Sequence, residues 1–249
     1  DLAVYLPATL ELALFSTLLA LLLGIPTGVI AAARRGSWLD RMGSLGSVLS
    51  VAMPTFFFAM LLQLVFSQWF GILPLSGRLS QQISISDPLP FVTGFNLIDA
   101  VIAGRPAVVL DALAHLSLPA LTLAAYPAGI AMRLTRAAMI EILARRHIIA
   151  ARALGLSAPR ILFGHALPNA VGPALTVIGL SFAYALTGAV LVEIIFAWPG
   201  LGRYVSEAIL SKDFPVIAAT TLVVTLCYVV MNLVIDLTQT LVDPRVALT

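Results

Sequence analysis

Residues Leu12 to Ala33 read LALFSTLLALLLGIPTGVIAAA, and Arg34-Arg35 follow at once. These 22 residues carry no Asp, Glu, Lys or Arg, and a helix needs about 20 apolar residues to cross a bilayer. Four more stretches lack those residue types: Met42 to Gly77, Ala112 to Met132, Ile161 to Val192 and Phe214 to Ile235. The stretches from Met42 and Ile161, 36 and 32 residues long, exceed one crossing but offer no charged or turn-rich break for two. Each is read as one helix with interfacial residues. The fold class is therefore all-α, a single polytopic transmembrane domain over 1–249 with spans near 8–33, 45–72, 113–136, 166–194 and 214–240. Pro54, Pro119, Pro127 and Pro173 fall in or beside these spans, where neighbouring helices can satisfy freed backbone groups, so kinks are expected there.

Composition agrees. Hydrophobic residues make up 60% of the chain and charged ones 10%, with mean hydropathy +1.04, whereas a soluble domain carries about 25% charged residues. Disorder and a disulfide-stapled module are excluded by the apolar content and the single Cys227. A net charge of +2 is too small to argue for a nucleic-acid partner.

Position makes the basic residues informative. Arg34, Arg35, Arg41, Arg133, Arg136, Arg145, Arg146, Arg152, Arg160 and Arg245 fall on one side of the five spans. Arg78, Arg105, Arg203 and Lys212 fall on the other. The positive-inside rule makes the first side cytoplasmic. The 74–112 loop is then exterior, carries Pro88, Pro90 and a weakly amphipathic piece from Phe95 to Ala103, and reads as a cap over the outer mouth. No basic leader precedes the first apolar run, which is flanked by Asp1 and Glu11. An upstream span, returning the N-terminus to the cytoplasm, is expected.

Several chemistries lack their residues. Lys212 is the one lysine and no glycine-rich loop precedes it, so the phosphate-cradling G-x-x-x-x-G-K-[ST] pattern is missing and no ATP hydrolysis of that kind is expected. His115, His147 and His165 are scattered, without the spacing of a metal site. Glu11, Glu193 and Asp236 lie near span ends, where an interfacial carboxylate or a packing contact explains them better than an ion pathway. The G-x-G in Pro199-Gly200-Leu201-Gly202-Arg203 reads as a turn leaving the membrane.

The cytoplasmic loop 137–165 is the most unusual segment. Ala137 to Leu154 has high helix propensity, with Glu141 and Arg145 at i,i+4. Gly155 then supplies a C-cap, Ser157 an N-cap and Pro159 a first-turn residue, predicting a helix-turn-helix. Ala150, Ala151 and Ala153 give it little side-chain bulk, which suits docking into a groove on another protein. Spacing alone equally allows a solvated basic loop that only fixes topology.

Here the chain resembles a known family. Ala150-Ala151, Gly155 and Leu167-Pro168 fit the E-A-A-x-x-x-G-x9-I-x-L-P signature of permease subunits of binding-protein-dependent ABC importers, with Ile149 in place of its Glu and His165 in place of its Ile. Ala151 to Ser157 and His165 to Ala170 are similar to the dipeptide/oligopeptide branch, Leu154 and Pro168 standing where that branch has Lys and Arg. The run Glu193 to Arg203 resembles its V-E-x-x-F-x-W-P-G-L-G-R exit, and Asp236 through Asp243-Pro244-Arg245 its terminus. Val92 to Phe95 and His115 to Leu123 are similar to the subunit of the pair with the long outer loop.

The resemblance implies the core of a type I importer permease in a bacterial inner membrane, multi-pass, with no enzyme activity of its own. Implied partners are a second homologous permease, two cytoplasmic ATPase subunits or domains that bind the ATP and Mg, an extracytoplasmic substrate-binding protein, a peptide substrate and membrane lipid. The chain itself would hold no cofactor or metal. Coupling to the ATPase is assigned to Ala150, Ala151, Arg152, Ala153, Leu154, Gly155, Leu156 and Ser157. A peptide path calls for small or weakly polar walls, for which Gln63, Ser67, Thr176, Ser181, Tyr184, Thr187 and Gly188 are candidates, helix packing being the alternative for most. Nickel or glutathione could replace the peptide. A secondary carrier or channel would instead need an embedded ionisable site or paired broken helices, and neither is clear.

Overall fold

The computed structural model describes residues 2–86 and 88–242, and at 86, 183, 184, 186–188, 235, 236 and 238–242 it describes the backbone alone. Every regular element among the described residues is helical. In chain order these are α1 (Leu2–Ala33), α2 (Trp38–Ala52), α3 (Thr55–Leu62, continued by a π-helical stretch Gln63–Trp69), α4 (Gln81–Ser86) and α5 (Asn96–Ile102). Next come α6 (Pro106–Leu143), α7 (Arg146–Ala153), a π-helical stretch Arg160–Ala166, α8 (Leu167–Ala170) and α9 (Gly172–Gly188). The last are α10 (Val190–Ile195), α11 (Leu201–Ser211) and α12 (Phe214–Val242).

Helices α1, α6 and α12 are each long and apolar enough to cross a bilayer alone. The pairs Trp38–Ala52 with Thr55–Trp69, and Arg160–Ala170 with Gly172–Phe182, bring the count to as many as five if each is one broken span. The span read over 45–72 is broken at Pro54, one of the prolines where a kink is expected. Pro54 offers no N–H, and Met53 before it turns extended (φ −75°, ψ 131°), as a residue preceding proline prefers. The second pair bends by 57°, with Pro173 just inside the start of α9, where its missing N–H costs nothing. Helix α6, in contrast, runs unbroken through Pro119 and Pro127.

Backbone packing divides the chain into two compact units. One comprises Asp1–Ser16, Pro54–Leu123 and Phe182–Val230 and contains the loop read as exterior. The other comprises Thr17–Met53, Ala124–Ser181 and Met231–Thr249 and contains the loop read as cytoplasmic. They are called here the outer-loop unit and the coupling-loop unit.

In the coupling-loop unit, small residues let α1 and α6 touch. A Cβ on Gly24 would lie 2.8 Å from the Ala128 carbonyl oxygen, and one on Gly28 2.7 Å from that of Met132. Four residues apart, the two glycines share a helix face, the small-xxx-small pattern of membrane helix contacts. Ala20, Ala124, Ala131, Ala174 and Ile178 extend this buried seam. Arg136 forks onto Asp40, Nε to Oδ1 at 2.5 Å and Nη2 to Oδ2 at 2.9 Å, and the Gly36 N–H also donates to Oδ2. The α1–α2 turn is thereby fastened to α6.

The outer-loop unit has its own apolar centre in Ala59, Leu62, Leu118, Val192 and Phe196. Its irregular segments are fastened by polar contacts, beginning with the Gly77 N–H, which donates to the Phe196 carbonyl at 2.9 Å.

Candidate functional site

The assigned coupling residues fall on α7 and the turn that ends it. Helix α6 continues to Leu143, and the chain breaks before Arg146. The one helix expected over 137–154 is therefore two. Propensity gives no reason for a break among Ala144, Arg145 and Arg146, but packing does. Ile142 from α6 and Ile148 from α7 both enter one core with Val29, Ala32, Met139, Ile161, Ala166 and Ala170.

Helix α7 ends in a complete Schellman motif. The Leu156 N–H donates to the Ala151 carbonyl at 3.2 Å and the Gly155 N–H to that of Arg152 at 3.0 Å. Gly155 sits at φ +79°, a left-handed conformation that glycine adopts at no steric cost. After this turn the Ser157 carbonyl accepts from the Ile161 N–H at 3.0 Å, and Pro159 is the residue that precedes the π-helical stretch.

Burial on this segment is one-sided. Ile148 is fully buried, and Ala151 and Leu156 pack half-buried against the same core. Ala150, Arg152, Ala153, Gly155 and Ser157 are exposed, and apolar Ile149, Leu154 and Phe163 are 55%, 81% and 60% exposed. A Cβ on Gly155 would meet nothing within 4 Å. A short helix is thus anchored from beneath and leaves an apolar upper surface open. Sequence reading missed the anchor Ile148 and the exposed Phe163. For Ile148 the available signal was its spacing of three from Ala151, which puts the two on one face of α7.

The outer-loop unit carries a second ordered site, around the Glu193 to Arg203 motif. Glu193 is fully buried. Its Oε1 accepts from the Thr9 hydroxyl at 2.7 Å and its Oε2 from the Arg203 N–H at 3.0 Å. Thr9 in turn accepts from the Leu201 N–H at 2.8 Å, and the Trp198 indole N–H donates to the Ala8 carbonyl at 2.9 Å. A Cβ on Gly200 would strike the Glu193 carboxylate, and one on Gly202 would lie 2.7 Å from the Val190 Cα. The turn read from the G-x-G gains a cause: the glycines let a carboxylate lie against the first turn of α11, whose free N–H groups it satisfies.

Neighbouring acids fasten the outer loop. Glu11 accepts from Arg78 at 2.5 Å and from the Leu97 N–H at 2.8 Å, while Arg78 also donates to the Gly94 carbonyl and lies over the Trp198 ring. Asp99 is buried and accepts from the Thr93 hydroxyl at 2.7 Å and from the N–H groups of Val92, Thr93 and Gly94. Burial pushes its carboxyl up, but these bonds outweigh that and hold it below the ordinary aspartate value. Asp111 accepts from the Ser80 N–H.

Each pathway candidate whose side chain is described bonds within its own unit. Gln63 donates its side-chain amide to the carbonyls of Leu75 and Ile195, at 2.9 and 3.1 Å. That ties the segment after α3 to α10. Ser67, Thr176 and Ser181 donate to the nearby carbonyls of Pro74, Gly172 and Val177. The side chains of Tyr184, Thr187 and Asp236, the surroundings of Gly188, and all of Asp243-Pro244-Arg245 lie outside the described residues. No three His, Cys, Asp or Glu side chains among the described residues gather as metal ligands.

Comparison with known proteins gives the class. Residues 24–248 match the family of binding-protein-dependent transport system inner membrane components, and the chain belongs to that family. It is 44% identical over 246 residues to the probable D,D-dipeptide transport system permease protein DdpB of Escherichia coli (strain K12), covering 99% of this chain and 72% of that protein. The di/tripeptide transport system permease protein DppB of Pseudomonas aeruginosa (strain UCBPP-PA14) is 42% identical over 240 residues, 96% of this chain and 70% of that one. In fold, the chain is similar to one from an inward-facing crystal form of the MetNI methionine ABC transporter. The TM-score is 0.64 over 95% of this chain and 93% of that chain, at 16% identity.

Proposed function

We propose that this chain is one of two similar permease subunits that together enclose the path of a di- or oligopeptide through a bacterial inner membrane. It forms a single multi-pass permease domain and has no ATPase site of its own. Two cytoplasmic ATPase subunits or domains hold ATP and Mg, and an extracytoplasmic binding protein delivers the peptide. Coupling runs through Ala150 to Ser157. The peptide class rests on the relatives, whose names specify dipeptide or di/tripeptide transport. Gln63, Tyr184, Thr187 and Gly188 remain proposals for the peptide path.

The observation that carries the coupling assignment is the one-sided burial of α7. A mechanical linker must be stiff towards its own subunit and adhesive towards the other. Ile148 supplies the first property, and the open face with Ile149 and Leu154 supplies the second. ATPase closure then moves α7, and through the shared core it moves α1 and α6 as rigid bodies.

The test places bulk where the structure has room. Gly155→Trp is expected to abolish uptake of a labelled dipeptide and to release the ATPase during purification. Gly155→Asn, which tolerates the left-handed conformation, should keep both. Normal uptake with the tryptophan variant would refute the assignment.

A further inference from the structure

The cytoplasmic end of α2 carries charge and apolar surface that the proposed coupling does not use. Arg34, Arg35 and Arg41 are all exposed within eight residues. The carboxylate nearest in sequence, Asp40, is buried and held by the Arg136 fork and the Gly36 N–H. Among the described residues none of the three arginines joins an ion pair.

The same end of α2 presents an open apolar stripe. Trp38, Met42, Leu45 and Leu49, at i, i+4, i+7 and i+11, are each more than half exposed. The opposite face is packed, with Asp40 and Ser47 buried and Gly43 so placed that a Cβ would lie 2.8 Å from the Met132 side chain. An exposed tryptophan at the boundary between a basic cluster and an apolar stripe matches the head-group level of a bilayer. Charge complementarity then selects the head group.

We propose that Arg34, Arg35 and Arg41, with Trp38 beside them, bind the phosphate-bearing head group of an anionic phospholipid, one acyl chain lying along Met42, Leu45 and Leu49. The site rests on the cytoplasmic orientation adopted above. It lies in the coupling-loop unit, on the turn that Asp40 and Arg136 fasten to α6, so lipid charge would bear on the helix that leads to α7.

The experiment uses the assembled, full-length importer in nanodiscs of phosphatidylcholine. A fixed fraction of lipid carries brominated acyl chains, on either phosphatidylglycerol or phosphatidylcholine. Quenching of Trp38 is read as the difference between the native chain and Trp38→Phe. Phosphatidylglycerol is expected to quench several-fold more strongly. At about 1 kcal/mol, or roughly fivefold, per arginine, the triple variant Arg34→Gln/Arg35→Gln/Arg41→Gln should bring the two lipids level. The charge control Arg133→Gln/Arg160→Gln should keep the preference. Equal quenching by both lipids in the native chain would overturn the site, as would loss of the preference in the control, which would indicate diffuse surface charge. Absence of quenching by either lipid would overturn it too, because a protein would then cover the face. Orientation is read separately from a thiol label on Ser157→Cys in a Cys227→Ser background. Labelling from outside would defeat the importer topology without reference to lipid.

Discussion

Each of the two units is held together internally by its own means. The outer-loop unit is irregular between its helices, and its loose backbone groups are gathered by side-chain acids: Glu193 on the first turn of α11, Glu11 on Leu97, Asp99 on Val92 to Gly94 and Asp111 on Ser80. The coupling-loop unit satisfies most of its backbone within helices and relies on close approach at Gly24 and Gly28, with one forked ion pair at Asp40. The difference follows from the solvent. Non-helical backbone near a membrane must find polar partners in the protein, whereas helix against helix needs small residues and van der Waals contact. One unit should therefore fail through lost hydrogen bonds, the other through added volume.

The sharpest test of that contrast is Glu193→Ala. It leaves the Thr9 hydroxyl and the Arg203 N–H without their acceptor in a fully buried place, a loss of about 3–5 kcal/mol at 1–3 kcal/mol per orphaned group together with the cavity left behind. Thermal unfolding in detergent, followed by tryptophan fluorescence, should show a clear fall. Glu193→Gln, which keeps one acceptor, should fall between. A native melting temperature for the alanine variant would mean the carboxylate does not brace the exit turn.

The opposite failure is expected from Gly24→Leu. Its Cβ meets the Ala128 carbonyl oxygen and the Ala131 Cβ, both at 2.8 Å, so α1 and α6 must separate at a cost of about 2–3 kcal/mol. Cross-linking between cysteines placed on these two helices should weaken. Unchanged cross-linking and stability would show that the seam has slack.

Legibility in the sequence follows the same division. The charge-free runs revealed α1, α6 and α12 because a bilayer demands that composition whatever the partner. The end of α7 was equally plain, since Gly155, Ser157 and Pro159 act within one turn. Tertiary choices were hidden. Thr9 and Glu193 are 184 positions apart and Asp40 and Arg136 96 apart, and nothing local announces either pairing. The break before α7 lies among good helix formers and is imposed by Ile142 and Ile148 sharing a core. The glycine pair at 24 and 28 stood in plain view, but in a run that is apolar all round it could not be assigned a face.

A smaller effect distinguishes charge from geometry in the coupling-loop unit. Arg136→Lys keeps the charge opposite Asp40 and loses the fork, because an ammonium cannot match both carboxylate oxygens in the guanidinium's plane. The expected destabilisation is about 1–2 kcal/mol, read by the same melting assay. If lysine is neutral there, attraction alone holds the α1–α2 turn and the geometry of the fork is incidental.

The smallest effect probes whether the outer loop is held by ionised acid. The Asp99 carboxyl titrates lower in the folded chain than the ordinary aspartate value of 3.8. The unfolded chain therefore takes up its proton first as pH falls. Its contribution is fully present above about pH 4 to 5 and is lost below that, as pH drops through the depressed folded value. Hydrogen exchange of the Val92, Thr93 and Gly94 amides should be flat from pH 5 to 8 after correction for intrinsic rates, and protection should fall in more acid solution. In Asp99→Asn, which still accepts through one oxygen, protection should drop by about 1 kcal/mol at neutral pH, and the acid-dependent part should vanish. Native chain and variant losing protection in parallel towards low pH would assign the acid sensitivity to another carboxylate, Glu11 being the nearest in the hydrogen-bond network. The outer loop would then be braced through Arg78 rather than through Asp99.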